Sequence, residues 1–86
     1  MTDLEREIEI LILRAMLAAG DVAVTDGFVR SAVRTQFQHI ALTPANITAR
    51  ISALEDKKMI APSNDDMLGL MWALTPTGKN KAQQLK

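Results

Sequence analysis

The chain of 86 residues has no cysteine, only three aromatic residues and no net charge. The absence of cysteine excludes disulfide bonds, thiolate metal sites and cysteine nucleophiles, and it favours a cytoplasmic location. Ten basic and ten acidic residues cancel, so the summed charge indicates neither a nucleic acid nor a membrane as a partner. No run of about 18 apolar residues is present and the first residues are acidic, so we expect neither a membrane span nor a signal peptide.

Residues that could carry catalysis or hold a metal are also few. His39 is the one histidine of the sequence, and we interpret it as a solvated residue of a turn. The adjacent carboxylates Glu55-Asp56 and Asp65-Asp66 lack further clustered ligands, which is typical of surface charge. The four glycines do not have the spacing of a phosphate-binding loop. We therefore expect no enzymatic activity, no metal and no cofactor.

Helical periodicity dominates the first two thirds of the chain. With 48% hydrophobic residues, the chain can build one core, and we expect a single domain over residues 1–86. Apolar residues spaced three and four apart predict helix 1 from Asp3 to Ala19, and Gly20 is placed to end it.

Two further helices are each introduced by a threonine. Helix 2 is predicted from about Asp26 to Phe37, with Thr25 as its N-cap. Its apolar side carries Phe28, Val29, Ala32, Val33 and Phe37. Thr43 followed by Pro44 predicts the start of helix 3, because proline suits the first helical position. The buried stripe of helix 3, at Ile47, Ile51 and Leu54, extends the prediction to about Lys57.

The last third of the chain predicts a β-hairpin and a short helix. We interpret Met59–Ala61 as one strand, 62–66 as the turn and Met67–Leu74 as the second strand. A second Thr-Pro pair, at residues 75 and 76, precedes a short helix predicted from Lys79 to Leu85. The segment 22–24 reads either as an extended connector or as a minimal strand. The predicted fold class is therefore mainly α with a small β-hairpin.

Two segments resemble the winged helix-turn-helix domains of MarR-like and related regulators. The stretch LTPANITARISALEDKKMI at 42–60 is similar to their recognition helix and first wing strand. The stretch LTPTGKNKAQQL at 74–85 is similar to the segment that closes the wing, with its Thr-Pro-x-Gly step into a final helix. The resemblance implies a three-helix core, a two-stranded wing and a short C-terminal helix. It also implies a transcriptional regulator that binds double-stranded DNA with a recognition helix at about 44–57.

The charge is unevenly distributed in a way that agrees with this implied function. Residues 1–29 contain six acids and two bases, whereas residues 30–86 contain four acids and eight bases. The basic part coincides with the helix-turn-helix, where cations could bind phosphates beside a major groove. An ordinary solvated surface would give the same count. The candidate DNA contacts are Arg30, Arg34, Thr43, Asn46, Thr48, Arg50, Ser52 and Lys57.

Other features favour an interaction module that binds a protein partner and no DNA. The predicted wing tip carries Asp65 and Asp66, which would repel phosphates, and the outer face of helix 3 is rich in alanine. The family commonly has a glycine before the first wing strand, where this chain has Lys57-Lys58. The strand of Trp72 is apolar on both faces, which leaves one face as a candidate interface, although Trp72 itself reads as a core residue.

Helix 1 carries a second apolar stripe at Ile10, Leu13 and Leu17. These residues lie within about 60° of one another and away from the first stripe. Only Ala82 and Leu85 of the short last helix could cover them, so we expect the stripe to form a homodimer interface. The alternative is that the hairpin strands fold back over helix 1 and leave nothing exposed.

Overall fold

Four helices and three short strands form the fold of residues 2–20 and 22–85, the parts of the chain that the computed structural model describes. In chain order they are α1 (Asp3–Ala18), β1 (Val24–Thr25), α2 (Asp26–Gln36), α3 (Pro44–Asp56), β2 (Ile60–Asp65), β3 (Gly69–Leu74) and α4 (Pro76–Gln84). None of these helices is long and apolar enough to cross a membrane.

Threonine side chains cap the helices, as the sequence predicts for α2 and α3. The hydroxyl oxygens of Thr25 and Thr43 accept hydrogen bonds from the N–H groups of residues 28 and 46, at 3.0 and 3.2 Å. Thr75 caps α4 in the same way. The predicted start of this helix at Lys79 is wrong by three residues, because the helix begins at Pro76, directly after its cap.

The strands form an antiparallel sheet in the order β1-β3-β2. Val24 pairs with Trp72, so the segment 22–24 contributes a minimal third strand beside the hairpin. The predicted turn at 62–66 is misplaced, because β2 continues to Asp65 and pairs there with Gly69. The turn lies at 66–68. The Asp65 carboxylate fixes it by accepting hydrogen bonds from the N–H groups of Met67 and Leu68, at 2.8 and 3.0 Å.

The predicted apolar stripes of α1, α2 and α3 meet in one core. Its members include Ile8, Ile12, Met16, Val29, Val33, Ile47, Ile51, Leu54 and Trp72. Phe28 is an exception, since it lies about 100° around α2 from Val29 and is 42% exposed.

The expectation that Leu13 lies on an open stripe of helix 1 is wrong. Its side chain is only 2% exposed. It lines the same groove as Leu85, the residue that follows α4, and Ala82 of α4 is fully buried, so the C-terminal segment covers more of α1 than its two apolar residues suggested. Ile10 and Leu17 remain half-buried.

The end of α3 has the geometry that usually requires glycine. Lys58 has a φ of 61°, in the left-handed region, and the Met59 N–H donates to the Leu54 carbonyl at 3.0 Å. Together with the 2.9 Å bond from the Lys58 N–H to the Glu55 carbonyl, this is a Schellman motif. The glycine of the Thr-Pro-x-Gly step has a different role. A Cβ at Gly78 would overlap the carbonyl of Met59, so only glycine lets α4 begin against the base of the hairpin.

We predict that Lys58→Gly stabilises the protein. Glycine adopts a positive φ without the steric cost that a Cβ imposes, and the gain in the free energy of unfolding should be about 1 kcal/mol. Lys81→Gly is the matched control, since Lys81 is an exposed residue inside α4, where glycine should cost about 1 kcal/mol. Urea unfolding followed by Trp72 fluorescence measures both, and a destabilised Lys58→Gly variant would contradict the prediction.

Candidate nucleic-acid interface

The outer face of α3 is exposed along its length and carries small side chains. The exposed residues of α3 are Pro44, Ala45, Asn46, Thr48, Ala49, Ser52, Glu55 and Asp56. Ile47, Ile51 and Leu54 hold the opposite face in the core. The helix can therefore approach another surface closely, and Asn46, Thr48 and Ser52 supply its uncharged polar groups.

The N-terminus of α3 is fixed by a capping box. The Thr43 hydroxyl accepts from the Asn46 N–H, and the Asn46 Oδ1 accepts from the Thr43 N–H at 3.0 Å. The two predicted contact residues are therefore brought together and held in one conformation. The Asn46 amide nitrogen is left as a donor at the start of the exposed face.

Arg30 connects α2 to the exposed face of α3. Its Nε donates to Asp26 Oδ2 at 2.7 Å, and its Nη2 donates to Thr48 Oγ1 at 2.9 Å. The guanidinium is thus held between a carboxylate on its own helix and a hydroxyl on the next. This arrangement places one positive charge, partly neutralised by Asp26, at the junction of the two helices.

Asp26 extends this network to the sheet. Its Oδ1 accepts a hydrogen bond from the Trp72 indole Nε1 at 3.0 Å, so one carboxylate connects β3, α2 and, through Arg30, α3. Partial burial would raise the pKa of Asp26, but the hydrogen bonds from Arg30 and Trp72 and the charge of Arg30 outweigh burial and lower it.

Arg50 and Lys57 point towards α1 and away from the outer face of α3. Arg50 Nη1 and Lys57 Nζ each lie 2.7 Å from a carboxylate oxygen of Glu9, and Arg50 Nη2 lies 3.1 Å from Glu5 Oε2. Glu9 is only 5% exposed, so both cations compensate a buried charge. A contact of either cation with phosphate would have to break these ion pairs, so the geometry does not favour these two candidates. The opposite net charges of residues 1–29 and 30–86 were the signal of this pairing in the sequence.

Arg34 is the candidate cation that stays available. It is exposed on α2, and no hydrogen bond or ion pair joins it to another residue of 2–20 or 22–85. His39 is exposed in the connection between α2 and α3, as expected for a turn residue. Among the described residues, no group of three or more acidic, histidine or cysteine side chains could hold a metal ion.

A similar arrangement of helices and hairpin occurs in a solved structure. The crystal structure of a MarR-family transcriptional regulator from Silicibacter pomeroyi matches with a TM-score of 0.64 at 17% sequence identity. The chain has the winged helix-turn-helix fold. The match covers 91% of this chain and 48% of that chain, so this chain spans about half the length of the regulator. No protein-family model and no curated protein matches the sequence.

In this winged-helix chain the wing is the β2–β3 hairpin, and its tip is both acidic and apolar. Met67 and Leu68 are 92% and 60% exposed. Hydrogen bonds from the N–H groups of Leu68 and Met67 lower the pKa of Asp65. The carboxylate of Asp65 is therefore part of the turn, whereas the neighbouring Asp66 is exposed and has no role in the turn's hydrogen bonds.

We predict that Asp26→Asn lowers stability by about 1 kcal/mol at neutral pH, because a charged acceptor is replaced by a neutral one. Because the pKa of Asp26 is lowered in the folded protein, its contribution is full above the ordinary value of 3.8 and is lost as the pH falls through the folded pKa. The free energies of unfolding of the two proteins should therefore converge in acid. A gap in stability that stays constant down to low pH would contradict this role for the carboxylate.

Proposed function

We propose that this chain is a winged-helix protein that binds double-stranded DNA with α3 in the major groove and acts as a transcriptional regulator. The observation that carries the proposal is the exposed outer face of α3, with its N-terminus rigidly capped and its polar groups on the open side. The matched structure is that of a transcriptional regulator, which agrees with the proposal. We still predict that residues 1–86 form a single domain and that the protein is located in the cytoplasm.

The proposal gives each candidate residue a role that its geometry supports. Arg34 would neutralise a phosphate, and Arg30 would approach a second one beside Thr48. Asn46, Thr48 and Ser52 would reach base edges or sugar-phosphate oxygens. Thr43 shapes the N-terminus of the helix. Arg50 and Lys57 contribute by holding α3 against Glu9 of α1, so they support the interface from behind.

A second candidate function, a protein interaction module, is favoured by the exposed apolar wing tip. Met67 and Leu68 expose apolar side chains that a protein partner would remove from water. The negative charge of Asp66 beside them would repel a phosphate. A partner with an apolar and basic surface would suit this tip better than DNA does. The two candidates use different surfaces of the chain, so separate substitutions distinguish them.

We predict that Arg34→Ala weakens DNA binding and lowers the salt slope, the dependence of log K on log salt concentration, by about one unit. The loss of one released counterion is the physical reason. Lys81→Ala is the matched control, because Lys81 is an exposed cation on α4, outside the α2–α3 surface. Fluorescence anisotropy with a labelled duplex, at several salt concentrations, measures both slopes.

The same titration decides between the candidates. A folded protein that fails to bind DNA even at low salt would overturn the proposal and favour the interaction module. An Arg34→Ala variant with an unchanged slope would remove α2 from the interface. Asp66→Asn should strengthen binding only if the wing approaches the phosphate backbone, since it removes one negative charge without altering the Asp65 turn.

A further inference from the structure

One face of α1, at the edge of the core, has charges of both signs around an apolar centre. Glu7 and Arg14 are exposed, and neither forms an ion pair or hydrogen bond within the described residues. Ile10 and Leu11 lie between them along the helix and are half-buried. A groove of about 600 Å³ runs along this face towards Phe37 at the end of α2.

The spacing of these four residues is symmetric about one point. Glu7 and Arg14 lie three and a half residues on either side of the midpoint between Ile10 and Leu11. At about 100° per residue, Glu7 and Arg14 fall within about 20° of each other, with Ile10 and Leu11 on opposite flanks. An antiparallel copy of the same helix, related by a two-fold axis through this midpoint, would therefore place each Glu7 opposite the Arg14 of the other copy.

We propose that the chain forms a homodimer in which α1 packs antiparallel against α1 of a second copy, with the two-fold axis between Ile10 and Leu11. The two Ile10 side chains then meet across the axis on one flank of the interface, and the two Leu11 side chains meet across it on the other flank. The Glu7–Arg14 pair forms twice, about 10 Å apart along the helix. Leu17 lies at the edge of this face, whereas the buried Leu13 lies outside it.

The charges on this face select a second copy as the occupant. A face with one acid and one base at equal distances from an apolar centre is complementary to itself in the antiparallel orientation, which is the condition for an isologous contact. A nucleic acid would be repelled by Glu7. A protein partner whose surface carries charges of a single sign would be repelled by either Glu7 or Arg14.

Reciprocal charge exchange tests this dimer. In the unaltered protein, sedimentation equilibrium at up to about 100 µM should show a monomer–dimer equilibrium. Glu7→Arg places two arginines opposite each other at both pairs, and Arg14→Glu does the same with two glutamates. Each single variant should raise the dissociation constant about tenfold or more, and the double variant should return it to within about threefold of the original.

The control is Glu55→Arg, the same exchange at an exposed position of α3, which should leave the dissociation constant unchanged. Circular dichroism verifies that each variant is folded. A strictly monomeric mass overturns the dimer. If the single exchanges leave the dissociation constant unchanged, or if the double exchange does not restore it, the antiparallel register is overturned. No DNA is present in these measurements, so their failure is distinct from a failure of the proposed function.

Discussion

The buried carboxylate of Glu9 determines how α3 is placed and which charges remain on its outer face. Glu9 lies on the core side of α1 and receives both Arg50 and Lys57, from the middle and the end of α3. A buried ion pair contributes little net stability compared with apolar packing, but removing one partner leaves an uncompensated charge that costs about 3–5 kcal/mol. The pairing therefore acts chiefly as a constraint on orientation. It agrees with the rotation of α3 that the apolar stripe favours, in which Ile47 and Ile51 are buried while Asn46, Thr48 and Ser52 are exposed.

The same pairing removes positive charge from the surface where the resemblance implies DNA. With Arg50 and Lys57 directed at α1, the proposed interface of one copy retains Arg34 and the partly neutralised Arg30. Each neutralised phosphate adds about 0.9 to the slope of log K against log salt concentration, so two cations give a slope of only about two for one copy. Proteins that make about six to ten phosphate contacts have a slope several times larger. Binding by a single copy would be weak at physiological salt. A site that engages two copies would double the number of phosphate contacts.

Local signals in the sequence predicted most of the fold, and non-local contacts account for what they missed. Thr25 and Thr43 were identified as caps because a cap depends on the next three residues alone. The hairpin turn was misplaced because the pairing of Asp65 with Gly69 depends on the register of the whole strand. Leu13 was misjudged because its cover, α4, lies about 70 residues further along the chain. The exposure of the α3 face could be predicted from its stripe, whereas the direction of Arg50 required the position of α1.

The two networks around α3 differ in what they make possible. Glu9 holds the back of the helix through buried charge, whereas Asp26 connects its front to the sheet through Arg30, Thr48 and Trp72. The Asp26 network is half-exposed, so its hydrogen bonds are exchanged for bonds to water more easily than those of the buried Glu9 network. A phosphate that draws Arg30 away from Asp26 would also leave the Trp72 indole and the Thr48 hydroxyl to find other partners. Contact at the exposed face of α3 would therefore change the hydrogen bonds at the base of the wing, while the packing of α3 against α1 stays the same.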